Sequence, residues 1–282
     1  METAQDYCLA MVRAGDHARY LTALYADRAA RPALLALYAF NLELARVREA
    51  VSEPLLGEIR FAWWRETVES LYGGHARAHP VAQALAPAIA RARPPAALFG
   101  ELIDGRMADI DENRLRVLDD VMRYGDMTGG AVQELAAWLA AGGDPGPEPR
   151  AAARAVGRAW ALMGLVRAIA FHARLGRRRL PDALLAAQGI DAATLYRGEI
   201  TPAICDMARA LHAAADAALA DARRHCPQPA PAVLAALLPA VLAEDFLKRL
   251  ARAGYNLHDD AIEAGALARQ AKLMWAALRG RI

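Results

Sequence analysis

The chain has 282 residues, of which 56% are hydrophobic and 23% are charged, and its formal net charge at pH 7 is +2. This composition is typical of a folded globular protein and excludes a disordered chain. The nearly neutral balance provides no basic surface of the kind that binds nucleic acid, so nucleic acid is not expected as a partner.

Helical periodicity runs through nearly the whole sequence and is interrupted at proline and glycine. Alanine, leucine and arginine dominate, and no segment alternates apolar and polar residues as a half-buried strand does. The expected helices cover residues 4–14, 16–26, 32–52, 54–72, 80–91, 95–111, 116–141, 149–174, 182–188, 201–225, 231–253 and 261–278. The sequence therefore predicts an all-α fold. Residues 1–282 are expected to form one domain, because neither side of the loop 141–150 has a composition of its own.

The cysteines and the N-terminus indicate where the protein is found. Cys8, Cys205 and Cys226 are far apart and form no CxxC pattern, which favours a reducing compartment and argues against a zinc site. The N-terminus METAQDYC has no basic and then apolar run, so no signal peptide is expected. The uncharged stretch 230–243 is too short to cross a bilayer, which predicts a soluble protein that can still rest on a membrane.

One aromatic segment and one acidic segment each indicate either a cavity or ordinary packing and surface exposure. The adjacent Trp63 and Trp64 are typical of core anchors, although one of the two rings could line a cavity. The segment ELIDGRMADIDENR places Asp104 on one helical face with Asp109 to its side. That face is either solvent-exposed or part of a site.

Two later segments also allow either a functional or a purely structural interpretation. The glycines of RYGDMTGGAVQELAAWLA make room either for a bulky ligand or for a neighbouring backbone. Arg167 and His172 are polar positions in the apolar middle of a long helix, where a lone histidine is usually a hydrogen-bonded core residue. The arginines of 174–179 are either a solvated helix end, favoured by the helix dipole, or a contact for an anionic partner.

Taken together and in this order, the motifs resemble those of the squalene/phytoene synthase family. The resemblance covers about residues 7–225 and rests on LYAFN (37–41), Trp64-Arg65, HPV (79–81), IDGR (103–106), the Tyr-Gly segment 124–130 and GRRRLP (176–181). It implies an isoprenoid synthase-type helical bundle around a central cavity.

The family's chemistry depends on two Asp-x-x-x-Asp pairs that bind Mg²⁺, which in turn holds the diphosphates of prenyl substrates. The i,i+4 spacing puts both carboxylates of a pair on one helix face. The matching positions here are Ala45 and Glu49, and Ala168 and His172, so three of the four carboxylates are absent. Because Mg²⁺ requires oxygen ligands, no metal site and no cofactor are expected.

The stretch LYAFNLELARVREAVSEPLLGEIRFAWWRETVE resembles one branch of the family in particular, the mitochondrial complex I assembly factors and their bacterial relatives. This resemblance implies a non-catalytic protein that supports assembly of respiratory complex I. Its expected partners are complex I subunits or assembly intermediates. Its expected location is the cytoplasm or, peripherally, the inner face of the inner membrane.

A cavity without metal could bind an anion through arginine, because guanidinium pairs directly with phosphate. The expected ligand is a prenyl diphosphate, an anionic lipid or a quinone-like molecule. The candidate ligand-binding residues are Arg46, Arg48, Trp64, Asp104, Arg167 and His172.

Two alternatives stay open at this point. The first is an active Mg²⁺-dependent transferase that condenses farnesyl or geranylgeranyl diphosphate, with a metal site built from Glu49, Asp104, Asp109 and their neighbours. The second is an interaction module that docks on a membrane-protein partner, with 174–179 contacting the partner or lipid headgroups.

Overall fold

The structure is a computed structural model that describes residues 3–51, 53–111, 115–174, 182–197 and 199–282, without the side chains of 170–174, 182 and 196. The described residues form helices and no strand. The helices are α1 Ala4–Gly15, α2 His17–Ala23, α3 Arg31–Ala45, α4 Val47–Ala50, α5 Pro54–Tyr72, α6 Pro80–Ala92, α7 Ala96–Arg106, α8 Leu118–Gly125, α9 Ala131–Ala141, α10 Pro147–Arg174, α11 Asp182–Ala187, α12 Ala192–Tyr196, α13 Pro202–His225, α14 Pro231–Leu237, α15 Pro239–Arg252 and α16 Ala266–Arg279. The prediction of an all-α fold is confirmed.

Local sequence explains where several helices begin and end. Thr3 and Asp6 form a capping box at the start of α1, in which Thr3 Oγ1 accepts from the Asp6 amide at 3.1 Å. Proline opens α3, α5, α6, α13, α14 and α15. Gly142 ends α9 with a φ of 73°, a left-handed conformation that glycine adopts without strain.

Two of the long predicted helices are interrupted beside the centre of the bundle. The predicted helix 32–52 breaks at Arg46, where the Glu49 amide bonds the Arg46 carbonyl three residues back and tightens the chain. The predicted helix 95–111 changes to a 3₁₀ turn at Met107–Asp109. Both interruptions fall where side chains turn towards the central cavity described below.

Three further boundaries differ from the prediction. The helix expected over 116–141 contains a π-helical turn at Asp126–Gly130, between α8 and α9. The helix expected over 231–253 divides at Leu238, because Pro239 has no amide hydrogen for the helical ladder. The short helix α12 was not predicted, and the last helix begins at Ala266, after a 3₁₀ turn at Asp260–Ile262.

The core is built around α3 and α9, whose side chains are buried on nearly all sides. In α3 every residue from Ala33 to Leu42 is buried, and in α9 nearly every residue from Ala131 to Ala140 is. The 28-residue helix α10 packs against α9 on one side and against α13 and α15 on the other. The expectation of one domain stays a prediction.

An ion-pair network ties α7, α9 and α10 to the π-helical turn. Arg154 of α10 contacts Glu101, Glu134 at 3.1 Å and Asp126 at 2.8 Å, and Arg158 reaches Asp126 at 2.8 Å. Burial raises the pKa of Asp126, but the hydrogen bonds from the two arginines outweigh it and hold that pKa below its ordinary value. Asp126 is therefore ionised at neutral pH and joins the turn to α10.

The π-helical turn and α10 cross at very close range. A methyl group built on Gly129 would overlap the carbonyl oxygen of Gly157, and a methyl group on Gly157 would overlap that of Gly129. For Gly129 the structure therefore shows contact with a neighbouring backbone, and Gly129 also lines the cavity described below. None of the described helices is long and apolar enough to cross a membrane.

We expect Gly129→Ala to lower the free energy of unfolding by about 1–3 kcal/mol, because the added methyl group forces the two helices apart. Gly164→Ala in α10 is the matched control, since a methyl group there meets no atom within 4 Å. The control should gain about 0.5–1 kcal/mol, because alanine favours a helix over glycine. Urea unfolding of both variants measures the difference, and equal stabilities would contradict the crossing.

Candidate ligand-binding cavity

A cavity of about 330 Å³ lies between the α3–α4 break, the end of α7, the π-helical turn and α10. Its polar lining consists of three arginines, Arg19, Arg48 and Arg106, and two acids, Glu49 and Asp109, together with Tyr124 and Thr128. The remaining lining is apolar. The cavity thus has a charged part and a hydrophobic part.

The hydrophobic part is supplied mainly by α10. Ala161, Gly164 and Ala168 follow one another at helical spacing on the face turned to the cavity. These small residues leave the space open, while the larger Trp160 and Ile169 close it at the sides. An aliphatic chain in the cavity would contact apolar side chains along α10.

Arg106 at the end of α7 organises the polar part. Its Nη1 donates to the Tyr124 hydroxyl at 2.8 Å, and its Nη2 donates to Oδ1 of Asn41 at 3.1 Å. Tyr124 in turn donates to Oδ1 of Asp109 at 2.8 Å. The 3₁₀ turn after Arg106 brings Asp109 back beside it, with Nη1 of Arg106 and Oδ2 of Asp109 at 3.4 Å.

The protonation states in this network follow from burial and from charge. Burial raises the pKa of the Tyr124 phenol, and the neighbouring Asp109 adds to that effect, so Tyr124 stays neutral and keeps its proton for Asp109. Burial lowers the pKa of Arg106, but Tyr124 and Asp109 outweigh it and raise that pKa above its ordinary value. Arg106 is thus a fixed cation whose side chain is largely buried, with 16% of it exposed.

Arg19 is the second buried cation. It is 5% exposed, pairs with Asp16 at 3.2 Å, and lies over the rings of Tyr38 and Trp160 at 5.4 and 5.7 Å from their centroids. Asp16 also caps α2 by accepting from the Arg19 amide, so the helix start and the cation are fixed together.

Both buried arginines keep hydrogen-bonding capacity. Among the described residues, neither Nε of Arg19 nor Nε of Arg106 has a hydrogen-bond acceptor. A buried donor without an acceptor costs about 1–3 kcal/mol. Oxygens of an anionic group would relieve that cost and would meet positive charge from three arginines.

The structure brings three of the four degenerate motif positions to this cavity. Ala45, at the end of α3, lines it together with Glu49 of α4 and Ala168 of α10, and Arg48 does so as well. The side chain of His172 lies outside the described residues. The binding roles predicted for these residues stay predictions.

Two of the predicted arginines lie elsewhere. Arg46 caps the end of α3 and is exposed, with its guanidinium against the backbone of Gly15. Arg167 forms an ion pair with Glu263 at 2.6 Å and lies over the ring of Phe246, so it belongs to a small neighbouring pocket. Neither side chain lines the cavity. Arg46 follows Ala45 and Arg167 precedes Ala168, so each side chain points in a different direction around the helix axis from the neighbour that faces the cavity.

Trp64 and Asp104 also lie away from the cavity lining. Trp64 is buried against Phe40, with ring centroids 5.1 Å apart, which agrees with its reading as a core anchor. Asp104 pairs with Arg65 at 2.6 Å, and both side chains are roughly half exposed. Asp104 lines a surface pocket that shares Tyr124 with the cavity.

The residues around the cavity do not fit the magnesium cluster of this fold. Ala45 and Ala168 have no oxygen ligand to offer, and Asp109 already accepts from Tyr124 and lies beside Arg106. Within the described part of the chain, no group of three or more His, Cys, Asp or Glu side chains is placed to hold a metal ion. The charged side chains of the lining are three arginines, Arg19, Arg48 and Arg106, and two acids, Glu49 and Asp109.

Sequence reasoning missed Arg19, Asn41 and the bridging role of Tyr124. Arg19 stands between Ala18 and Tyr20 with nothing to distinguish it from other arginines except its spacing from Asp16. Asn41 ends the LYAFN segment, where a polar residue in an otherwise apolar helix is a signal that could have been followed. Contacts of Asn41 with Arg106, 65 residues away, have no local signature.

An all-α bundle around a cavity of this kind defines an isoprenoid synthase-type fold. The crystal structure of a dehydrosqualene synthase in complex with ligand superposes with a TM-score of 0.79 and 16% identity, covering 98% of this chain and 95% of that one. The family model of squalene/phytoene synthase matches residues 12–273. The chain belongs to the squalene/phytoene synthase family.

Two kinds of relative occur among similar proteins. NADH dehydrogenase (ubiquinone) complex I, assembly factor 6 of Homo sapiens is 27% identical over 258 residues, which is 91% of this chain and 77% of that protein. Phytoene synthase of Thermus thermophilus is 30% identical over 207 residues, which is 72% of this chain and 68% of that protein.

We expect Tyr124→Phe to lower the free energy of unfolding by about 1–3 kcal/mol, because it removes an acceptor from Arg106 and a donor from Asp109. Tyr72→Phe is the control, since the half-exposed Tyr72 hydroxyl makes a hydrogen bond to the Pro94 carbonyl near the surface. Thermal or urea unfolding should show the larger loss for Tyr124→Phe. A larger loss for Tyr72→Phe would contradict the central position of Tyr124.

Proposed function

We propose that this chain is a non-catalytic member of its family that supports assembly of respiratory complex I. In this proposal the central cavity holds an anionic molecule with an apolar chain, such as a prenyl diphosphate or an anionic lipid, without Mg²⁺. The protein resides in the cytoplasm or peripherally on the inner face of the inner membrane.

The observation that supports the proposal is that the cavity lining has arginines and lacks carboxylates that the family resemblance expects. Ala45 and Ala168 stand where the family resemblance expects carboxylates, and the same cavity is lined by Arg19, Arg48 and Arg106. A metal ion would reverse the charge of an acidic cavity so that diphosphate could bind. Here the guanidinium groups supply positive charge directly and match the geometry of phosphate oxygens.

The role in complex I assembly is supported by similarity to an assembly factor over 91% of this chain. Complex I subunits or assembly intermediates are the corresponding partners. A scaffold role requires a folded surface and no leaving-group chemistry, which agrees with a cavity whose donor set does not fit Mg²⁺.

A second function, a Mg²⁺-dependent prenyl diphosphate transferase, is favoured by the 30% identity with a phytoene synthase. Its metal ligands would be Glu49 and Asp109, the two acids that line the cavity. Asp104 lies outside the cavity lining and pairs with Arg65, which weakens this alternative.

Calorimetric titration of farnesyl diphosphate into the purified protein separates the two functions. We expect binding that is the same with Mg²⁺ and with EDTA, and no release of pyrophosphate. Arg48→Gln and Arg19→Gln should each weaken binding about tenfold, the size of one lost charge-assisted hydrogen bond.

Arg46→Gln and Arg167→Gln are the matched controls, because both remove an arginine whose side chain does not line the cavity. Their affinity should equal that of the unmodified protein. Binding that requires Mg²⁺ and is followed by pyrophosphate release would overturn the proposal in favour of the transferase.

Deletion of the gene in its source organism tests the assembly role. We expect less fully assembled complex I on native gels of membranes, restored by the unmodified chain and also by Glu49→Gln. A transferase would lose its metal ligand in Glu49→Gln, since a neutral amide binds Mg²⁺ weakly. Unchanged complex I after deletion would contradict the assembly role, and rescue that fails with Glu49→Gln would favour the enzyme.

A further inference from the structure

The outer face of α16 carries a continuous apolar stripe. At about 100° per residue, Leu267, Met274 and Leu278 fall within about 40° of one another around the helix axis, and Trp275 lies about 60° further. The stripe runs from Leu267 to Leu278 and is therefore about 17 Å long. All four side chains point away from α15, against which the opposite face of α16 packs.

These side chains are among the most exposed large hydrophobic groups of the described chain. Leu267 is 83% exposed, Leu278 76%, Trp275 57% and Met274 55%. By contrast, only Leu273 and Ala276 of α16 are buried. Single exposed apolar residues are ordinary on protein surfaces, but a stripe of four along one helix marks a contact surface.

The charges on this helix have one sign. Residues 264–282 contain Arg269, Lys272, Arg279 and Arg281 and no aspartate or glutamate. Lys272 and Arg279 flank the same side of the stripe at helical spacing, and the Arg279 guanidinium lies 4.2 Å from the ring centroid of Trp275. Lys272 also pairs with Asp245 of α15 at 3.0 Å, which fixes the helix on the body of the protein.

We propose that α16 is an interfacial helix that lays this stripe into an anionic lipid bilayer. Leucine and methionine side chains along one face, a tryptophan beside it and a cationic flank are the features of helices that lie in the headgroup region. Tryptophan favours that depth because its ring is apolar and its N–H is polar.

Shape and charge favour a bilayer over a protein partner. The stripe lies on the convex side of a helix, so a flat surface contacts it along its whole length, whereas a protein would need a groove of matching shape. The cationic flank is complementary to anionic headgroups, which attract each nearby lysine or arginine by about 1 kcal/mol. A second copy of the chain would bring the same cations together.

The inference deepens the peripheral location proposed above by naming the surface that makes the contact. It needs neither a ligand in the cavity nor complex I. Failure of vesicle binding would therefore leave the titration of farnesyl diphosphate and the assembly experiment unaffected.

Sedimentation of the full chain with lipid vesicles tests the proposal. One vesicle population contains phosphatidylcholine alone, and the other contains about one third phosphatidylglycerol, a mixture that mimics an anionic leaflet. We expect the protein to sediment with the anionic vesicles, to stay largely in the supernatant with neutral ones, and to dissociate as salt is raised.

Three variants of α16 and one control locate the contact. Leu267→Ser/Leu278→Ser should weaken partitioning at least about tenfold, and Arg279→Glu/Arg281→Glu should do so mainly at low salt. Trp275→Phe should abolish the blue shift of tryptophan emission on vesicle addition. The control is Leu55→Ser/Ile59→Ser in α5, which removes two exposed apolar side chains, 61% and 56% exposed, beside Glu53 and Glu58 and should leave partitioning unchanged.

Several results would overturn the proposal. Recovery of the unmodified protein in the supernatant with anionic vesicles would do so, and so would equal binding of the α16 variants. An equal loss in the α5 control would remove the specificity for α16. Light scattering that shows a dimer lost in Leu267→Ser/Leu278→Ser would assign the stripe to a second copy instead.

Discussion

The contact between Gly129 and Gly157 is the constraint on which the cavity depends. Because neither residue has a side chain, the π-helical turn and α10 approach until their backbones touch. This approach fixes α10 close to α9 and places its next inward residues, Trp160, Ala161 and Gly164, along one wall of the cavity. It also holds Asp126 within reach of Arg154 and Arg158, so a steric condition and an ion-pair network stabilise the same crossing.

The polar wall of the cavity is constrained by the free-energy cost of burying charge. Burying a guanidinium is unfavourable unless hydrogen bonds and an opposite charge compensate for the lost water. Arg106 has Tyr124, Asn41 and Asp109, and Arg19 has Asp16, so both cations are tolerated. Buried ion pairs of this kind add little to stability compared with apolar packing.

How far the sequence predicts this structure depends on whether the signal is local. Apolar periodicity, proline and capping residues are local, and they place most helices, with α5 at its observed bounds. The break at Arg46 and the π-helical turn escape such reasoning. The π-helical turn lies at a contact with a distant segment, that of Gly129 with Gly157. In the cavity, the motif positions Ala45 and Ala168 were found through the family resemblance, whereas Arg19 was missed because its burial depends on Tyr38 and Trp160.

If arginine and not a metal ion supplies the positive charge, the fraction of the cavity that is filled depends on different concentrations. A site built from carboxylates and Mg²⁺ fills as a function of two concentrations, that of the metal and that of the ligand. Arg19 and Arg106 are covalent parts of the chain and supply positive charge without a metal ion. Under the anion-binding proposal, the filled fraction of the cavity depends on the concentration of the ligand and not on that of divalent ions.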